Sequence, residues 1–172
     1  LFRSAAIGAF FAAPKRTLVC LNTDGGIMFN LHELQLIQEH KIPVRLFIFN
    51  NEGYTMIKSS QQNLFDSRIS GSSTSTGISF PNFKELASLF KIQYKAIKSK
   101  KDIVASLSNL NPLQSYLIEV FMDPTQKYLP KLGTRKNAEG DLVSPPIEDM
   151  DPLISIEDLE NALGYKIGRA HV

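Results

Sequence analysis

An acid and two glycines stand together at Asp24, Gly25 and Gly26, in the stretch NTDGGIMFN, directly behind the apolar run TLVCL. A second apolar run, Val44–Phe49, closes on Asn50 and Asn51, with Glu52 and Gly53 behind them. If the two runs are neighbouring strands of a parallel sheet, Asp24 and Asn51 meet at the strand ends where such sheets hold ligands. A carboxylate, an amide oxygen and backbone carbonyls are hard oxygen donors. They suit Mg²⁺, which draws its remaining ligands from water or a phosphate. Gly25 and Gly26 let the backbone approach that phosphate, and a helix starting behind them aims N–H donors at it. The same residues also make ordinary turns, since Asp-Gly-Gly is good turn chemistry and Asn-Asn a common strand exit. On residue types and spacing alone, both readings stand.

Four short apolar runs without alternation read as strands buried on both faces: Thr17–Leu21, Val44–Phe49, Tyr94–Ile97 and Tyr116–Phe121. Helical patterns lie before and between them, at 4–13, Leu31–His40, Asn82–Phe90 and Lys101–Leu110. Strand alternating with helix predicts an α/β fold, a doubly wound, mostly parallel sheet flanked by helices, with right-handed crossovers. Asn30 is placed to cap the helix Leu31–His40, and Glu33 to complete a capping box. That helix would then point the positive end of its dipole at the Asp24–Gly26 turn. Residues 67–79 (SRISGSSTSTGIS) are polar and aperiodic, and read either as a surface loop or as a lid over the site. From Asp123 onward prolines dominate, so an extended tail is expected, with a short helix Ser155–Leu163 capped by Ser155. The expected division is a core at 1–122, a tail at 123–166 and six further residues at 167–172.

The chain has 172 residues, 43% of them hydrophobic, enough for one domain or most of one. Its net charge of +2 is too small to suggest a nucleic-acid partner. Lys98–Lys101 accordingly reads as a solvated helix start. Cys20, the single cysteine, rules out a disulfide within the chain and favours a reduced, cytoplasmic setting. In the middle of a buried strand it reads as a small hydrophobe. No apolar run approaches the ~20 residues that span a membrane, so no membrane partner is expected. His32 and His40 lack partners at metal spacing and read as helix-surface residues. The chain opens without Met inside a helical pattern, and truncation at its N-terminus is expected. Its last six residues, IGRAHV, match the translation of a common sequencing adapter, which would make 167–172 an artefact and remove His171 from consideration.

The segment NTDGGIMFNLHELQLIQEHKIPVRLFIFNNEGY resembles the thiamine-diphosphate motif of the acetohydroxyacid synthase and pyruvate decarboxylase superfamily, which opens Gly-Asp-Gly and closes Asn-Asn. SAAIGAFFAAPKRTLVCLN is similar to the segment just upstream in that family. The tail, with LPKLG and SPPIEDMDPL, is similar to the C-terminus of acetolactate-synthase-like members. The resemblance implies the thiamine-diphosphate-binding fold, here the C-terminal diphosphate-binding domain. It implies that Asp24 and Asn51 bind Mg²⁺ through side-chain oxygens and Gly53 through its carbonyl. Gly25, Gly26 and the backbone of Gly53 and Tyr54 would line the diphosphate. Met56 and Ile57 match positions facing the thiazolium and substrate, with plain core packing as the other reading.

The resemblance further implies a full-length enzyme that decarboxylates a 2-oxo acid and passes the carbanion to a carbonyl acceptor, working as a homodimer or homotetramer. Its activating Glu would lie in an N-terminal domain and any FAD in a middle domain, both outside this chain. No catalytic residue is therefore expected here, and the fragment alone should be inactive. Two positions depart from the pattern. Thr23 replaces the first motif Gly, which is costly at positive φ and harmless in extended backbone. Ser60 stands where true acetohydroxyacid synthases carry Trp, and the chain has no Trp at all. That points away from branched-chain biosynthesis and toward another 2-oxo acid or aldehyde. The alternatives are a scaffold domain of the same fold that has lost the cofactor, which Thr23 favours, and a 2-oxo acid decarboxylase that does not ligate. A flavodoxin-like nucleotide binder ranks behind both, because neither Gly-x-Gly-x-x-Gly nor a P-loop is present.

Overall fold

Four parallel strands form the sheet, β1 (Leu18–Thr23), β2 (Val44–Asn50), β3 (Gln93–Ile97) and β4 (Tyr116–Phe121), in the order β1-β2-β4-β3. This computed structural model describes residues 2–137 and 139–166. It divides into two compact units, Leu1–Thr55 with Ser70–Pro124, and Met56–Ile69 with Thr125–Val172. The first unit holds the sheet with α1 (Phe2–Ala12), α2 (Asp24–Met28), α3 (Glu33–Glu39), α5 (Phe83–Leu89) and α6 (Lys100–Leu107). The second holds nearly all of α4 (Thr55–Leu64), the antiparallel pair β5 (Arg135–Lys136) and β6 (Leu142–Val143), and α7 (Ile156–Leu163).

The inner strands β2 and β4 are packed on both sides, whereas the edge strand β1, also expected to be buried on both faces, leaves Val19 and Leu21 exposed. Leu117 of β4 joins Ile7 of α1, Leu34 and Ile37 of α3, and Phe83 and Ala87 of α5 in one cluster. Its neighbours Tyr116 and Ile118 join Leu107 in a second cluster. That switch between adjacent residues is the period of two of a strand. Ile48, fully buried in β2, tests the packing: Ile48→Val should lower stability by about 1 kcal/mol, read as a shift in unfolding midpoint. In β1, Thr23 lies level with Phe49 of β2, so both strands deliver their following residues to one edge.

The expected doubly wound sheet is present, but the chain departs from the sequence reading at three places. Asn30 does not cap a helix at Leu31. The chain first makes α2, capped by Thr23, then turns and starts α3 at Glu33 with no side-chain cap from His32. The Asn30 amide nitrogen donates to the Ser4 hydroxyl at 3.4 Å, and that hydroxyl donates to Glu33, which itself opens α3 and so stands at the wrong position to complete a box from Asn30. It is α2, and not the later helix, that begins at Asp24. Secondly, α4 was not read from the sequence, and it forms a helix of ten residues none of which is fully buried. Thirdly, the tail is not wholly extended. Asn137 Oδ1 accepts the Asp141 N–H at 2.7 Å, closing the β5–β6 turn. The helix near Ser155 is as expected, and Ser155 Oγ accepts the Asp158 N–H at 3.1 Å. Cys20 is buried, and His32 and His40 are exposed. Among the described residues no helix is long and apolar enough to cross a membrane. The 167–172 expectation and His171 lie outside the described residues.

Candidate functional site

Thr23 ends β1 at φ −114° and ψ 165°, ordinary extended backbone. A β-branched residue is at ease there, so the departure from the motif Gly carries no strain. Its hydroxyl accepts the Gly26 N–H at 3.0 Å and caps α2. Thr23→Ala should lower stability by about 1 kcal/mol and Thr23→Gly by only a few tenths. Thermal unfolding of the two variants side by side checks this.

Asp24, next in line, has no solvent exposure. Its Oδ1 accepts the Gly25 N–H at 2.7 Å, and its Oδ2 accepts the N–H groups of Asn51 at 3.1 Å and Gly53 at 3.0 Å. The carboxylate on β1 thus holds the turn that follows β2. Burial pushes the Asp24 carboxyl above its ordinary pKa, while the Gly25, Gly53 and Asn51 amides pull it back down. Burial therefore disfavours the ionised form, and a cation at these oxygens would stabilise it. Asn51 is itself buried, at 7% exposure, beside this carboxylate.

The glycines are required by close approach. A Cβ on Gly25 would lie 2.2 Å from the Tyr54 ring, and one on Gly26 would lie 2.3 Å from Asn22 Oδ1. The space beside them is therefore filled by protein side chains. A Cβ on Gly53 would lie 2.4 Å from the Ser72 carbonyl oxygen. Gly53 bridges to Ser73, and the Tyr54 N–H donates to the Ser72 oxygen at 2.8 Å. Part of the polar stretch read as an aperiodic loop is therefore a built support. Thr74–Thr76 forms a 3₁₀ turn, and Thr76 Oγ1 accepts the N–H groups of Ser72 at 3.0 Å and Ser73 at 2.8 Å. Tyr54 meets Phe80 edge-on at 5.9 Å.

Asp24, Gly25, Gly26, Asn51, Gly53 and Tyr54 are therefore brought to one edge of the sheet. Met56 and Ile57 lie on α4 within the second unit, 55% and 47% exposed. Ser60, on the same helix, bonds back to the Met56 carbonyl at 3.1 Å. Sequence reasoning missed Thr23 as a cap, Ser72 and Ser73 as the support of Gly53, and the partners of Asn50. Only the doubled Asn hinted at any of these. Among the described residues no three His, Cys, Asp or Glu side chains gather as metal ligands. The donors at hand are one buried carboxylate, one buried amide and backbone carbonyls. That set matches Mg²⁺, which binds through one or two carboxylates and keeps ligands from water or a phosphate.

Residues 3–120 match the family described as thiamine pyrophosphate enzyme, C-terminal TPP binding domain. The chain is 32% identical over 127 residues to the acetolactate synthase isozyme 2 large subunit of Escherichia coli K12, covering 73% of this chain and 23% of that protein. It is 35% identical over 122 residues to a probable acetolactate synthase large subunit of Methanococcus aeolicus, covering 70% and 20%. Among solved structures, the Rhodococcus jostii RHA1 thiamine diphosphate-dependent 4-hydroxybenzoylformate decarboxylase superposes with a TM-score of 0.58 at 27% identity, over 69% of this chain and 22% of that one. The chain thus spans less than a quarter of the length of these relatives.

Proposed function

The chain belongs to the thiamine pyrophosphate enzymes, as their C-terminal TPP-binding domain, and from that premise we propose that it seats thiamine diphosphate and Mg²⁺ in an acetolactate-synthase-like enzyme. The whole enzyme would decarboxylate a 2-oxo acid and join the remaining fragment to a carbonyl acceptor. The observation that carries the reading is the buried Asp24 carboxylate wrapped by the Asn51–Gly53 turn. Asp24 and Asn51 would hold the cation through side-chain oxygens and Gly53 through its carbonyl. The bound cofactor supplies an electron sink for the bond broken as CO₂ leaves. This chain's residues bind and orient. Asp24 holds the turn, Gly25 admits the Tyr54 ring, and the Ser72 carbonyl fixes the Tyr54 N–H. Proton transfer at the cofactor is assigned to a carboxylate outside this chain.

The 2-oxo acid substrate, the homo-oligomeric assembly, any FAD in a middle domain and the cytoplasmic setting belong to the same proposal and rest on family likeness. So does the inactivity of the isolated chain. The extended backbone at Thr23 removes the feature that favoured a scaffold without cofactor. A decarboxylase that does not ligate remains the second reading, supported by the likeness to 4-hydroxybenzoylformate decarboxylase and by Ser60 in place of Trp. Two experiments on the full-length parent test the proposal. Calorimetric titration should show thiamine diphosphate binding only when Mg²⁺ is present. Product analysis with a panel of 2-oxo acids should then give a joined hydroxyketone or hydroxy acid. Free aldehyde as sole product would select the second reading, and no binding by folded protein would sink both.

A further inference from the structure

Glu119 is a carboxylate on β4, an inner strand of the sheet, only 5% exposed. A buried carboxylate is costly unless its oxygens are satisfied. Here both are, by neutral donors from the two flanking strands. Asn50 Nδ2, at the end of β2, donates to Oε1 at 2.6 Å. The Tyr94 hydroxyl on β3 donates to Oε2 at 2.5 Å. Burial and the neighbouring carboxylate push the Tyr94 phenol above its ordinary range, so it stays a donor. Both bonds are charge-assisted and stronger than neutral ones.

The other end of Asn50 reaches the proposed cofactor turn. Its Oδ1 accepts the Glu52 N–H at 3.1 Å, and its carbonyl accepts the Met122 N–H at 2.8 Å. Glu52 has φ +60°, the left-handed region, which a non-glycine residue occupies at a cost unless its surroundings hold it. Three successive amides of the turn are thereby fixed from two sides. Asp24 takes those of Asn51 and Gly53, and Asn50 takes the one between them. We infer that Tyr94, Glu119 and Asn50 form a positioning relay that holds the Asn51–Gly53 turn in the shape that presents Asn51 and the Gly53 carbonyl to the cation. The inference rests on the proposed function above. It adds three residues, from three strands, that do not themselves meet the cofactor.

The experiment uses the full-length parent enzyme, with Mg²⁺ titrated calorimetrically at saturating thiamine diphosphate and the ligand-free melting temperature measured alongside. Tyr94→Phe leaves the ring and removes one donor, so half-saturation should need about three- to tenfold more Mg²⁺, with the melting temperature nearly unchanged. Glu119→Ala should weaken Mg²⁺ by about 10- to 100-fold, the usual cost of losing an outer-shell partner. Glu119→Gln keeps an acceptor for Asn50 Nδ2 and should recover most of that loss. Unchanged Mg²⁺ dependence in Tyr94→Phe and Glu119→Ala would overturn the relay while leaving the functional reading intact. Losses that follow the melting temperature in every variant, Glu119→Gln included, would make the three residues packing only and would also overturn it. A parent that binds neither ligand would take down the relay together with the functional reading.

Discussion

Asp24→Ala is expected to abolish Mg²⁺-dependent thiamine diphosphate binding in the full-length protein, by well over the roughly 10- to 100-fold that removal of an outer-shell partner costs. Two losses combine. Asp24 is the one carboxylate assigned to the proposed cation site, so the substitution removes the site's charged ligand. The amides of Gly25, Asn51 and Gly53 also lose their acceptor, and a buried donor left unsatisfied costs about 1–3 kcal/mol. Removal of a charge that burial disfavours partly offsets that second loss. Asp24→Asn separates the two. It keeps an acceptor at one position while removing the charge, so ligand-free melting should stay closer to the parent than in the Ala variant. Mg²⁺-dependent binding should still fail. Calorimetry together with melting curves of both variants reads this directly. Binding by either variant within about threefold of the parent would move the cation away from Asp24.

The sheet could be read ahead of the structure because its inner strands are buried on both faces and its edge strands are still largely apolar. Largely apolar runs such as Val44–Phe49, interrupted only by Arg45, have few other homes in a small α/β chain. The pairing of Asp24 with the residues after β2 was readable for the same reason, since parallel neighbours bring their ends level. What escaped was local competition. Asn30 and Glu33 have the spacing of a capping box, yet Thr23 capped a shorter helix first and α3 then began only at Glu33, with His32 in the cap position. Spacing cannot show which of two caps is made. The helix α4 went unread although its residues are helix-compatible, because its polar run KSSQQN sits beside the Ser-rich stretch that reads as a loop. The support of Gly53 by Ser72 and Ser73 joins segments far apart in a polar stretch whose composition suggests only a loop. The Tyr94–Glu119–Asn50 network had no motif to announce it, because it exists only once three strands are side by side.

Gly53→Ala is the second large effect, and its cause is space. Gly53 is not among the glycines with positive φ, so an alanine is conformationally allowed there. The added Cβ would nonetheless lie 2.4 Å from the Ser72 oxygen and 3.3 Å from the Ser73 Cα. Both are backbone atoms held by the 3₁₀ turn and by Thr76 Oγ1, so they cannot swing aside as a side chain would. The turn itself must move, and with it the Gly53 N–H bonded to Asp24 and the carbonyl proposed for the cation. Overpacking of this kind costs about 1–3 kcal/mol in stability. Cofactor affinity should fall by at least tenfold, because the displaced atoms are the proposed ligands. Gly25→Ala is the instructive comparison. Its Cβ would meet the Tyr54 ring, a side chain that can rotate once its contact with Phe80 is given up, so a smaller loss is expected. Gly8→Ala, in α1 with nothing within 4 Å of the new Cβ, should stabilise the chain by about 0.5–1 kcal/mol. The three variants therefore rank by what the new carbon meets: fixed backbone, a movable ring, or open space. Melting temperatures in that order, with affinity lost most at Gly53, would tie the cofactor seat to this turn. Parent-like affinity in Gly53→Ala would place the seat elsewhere.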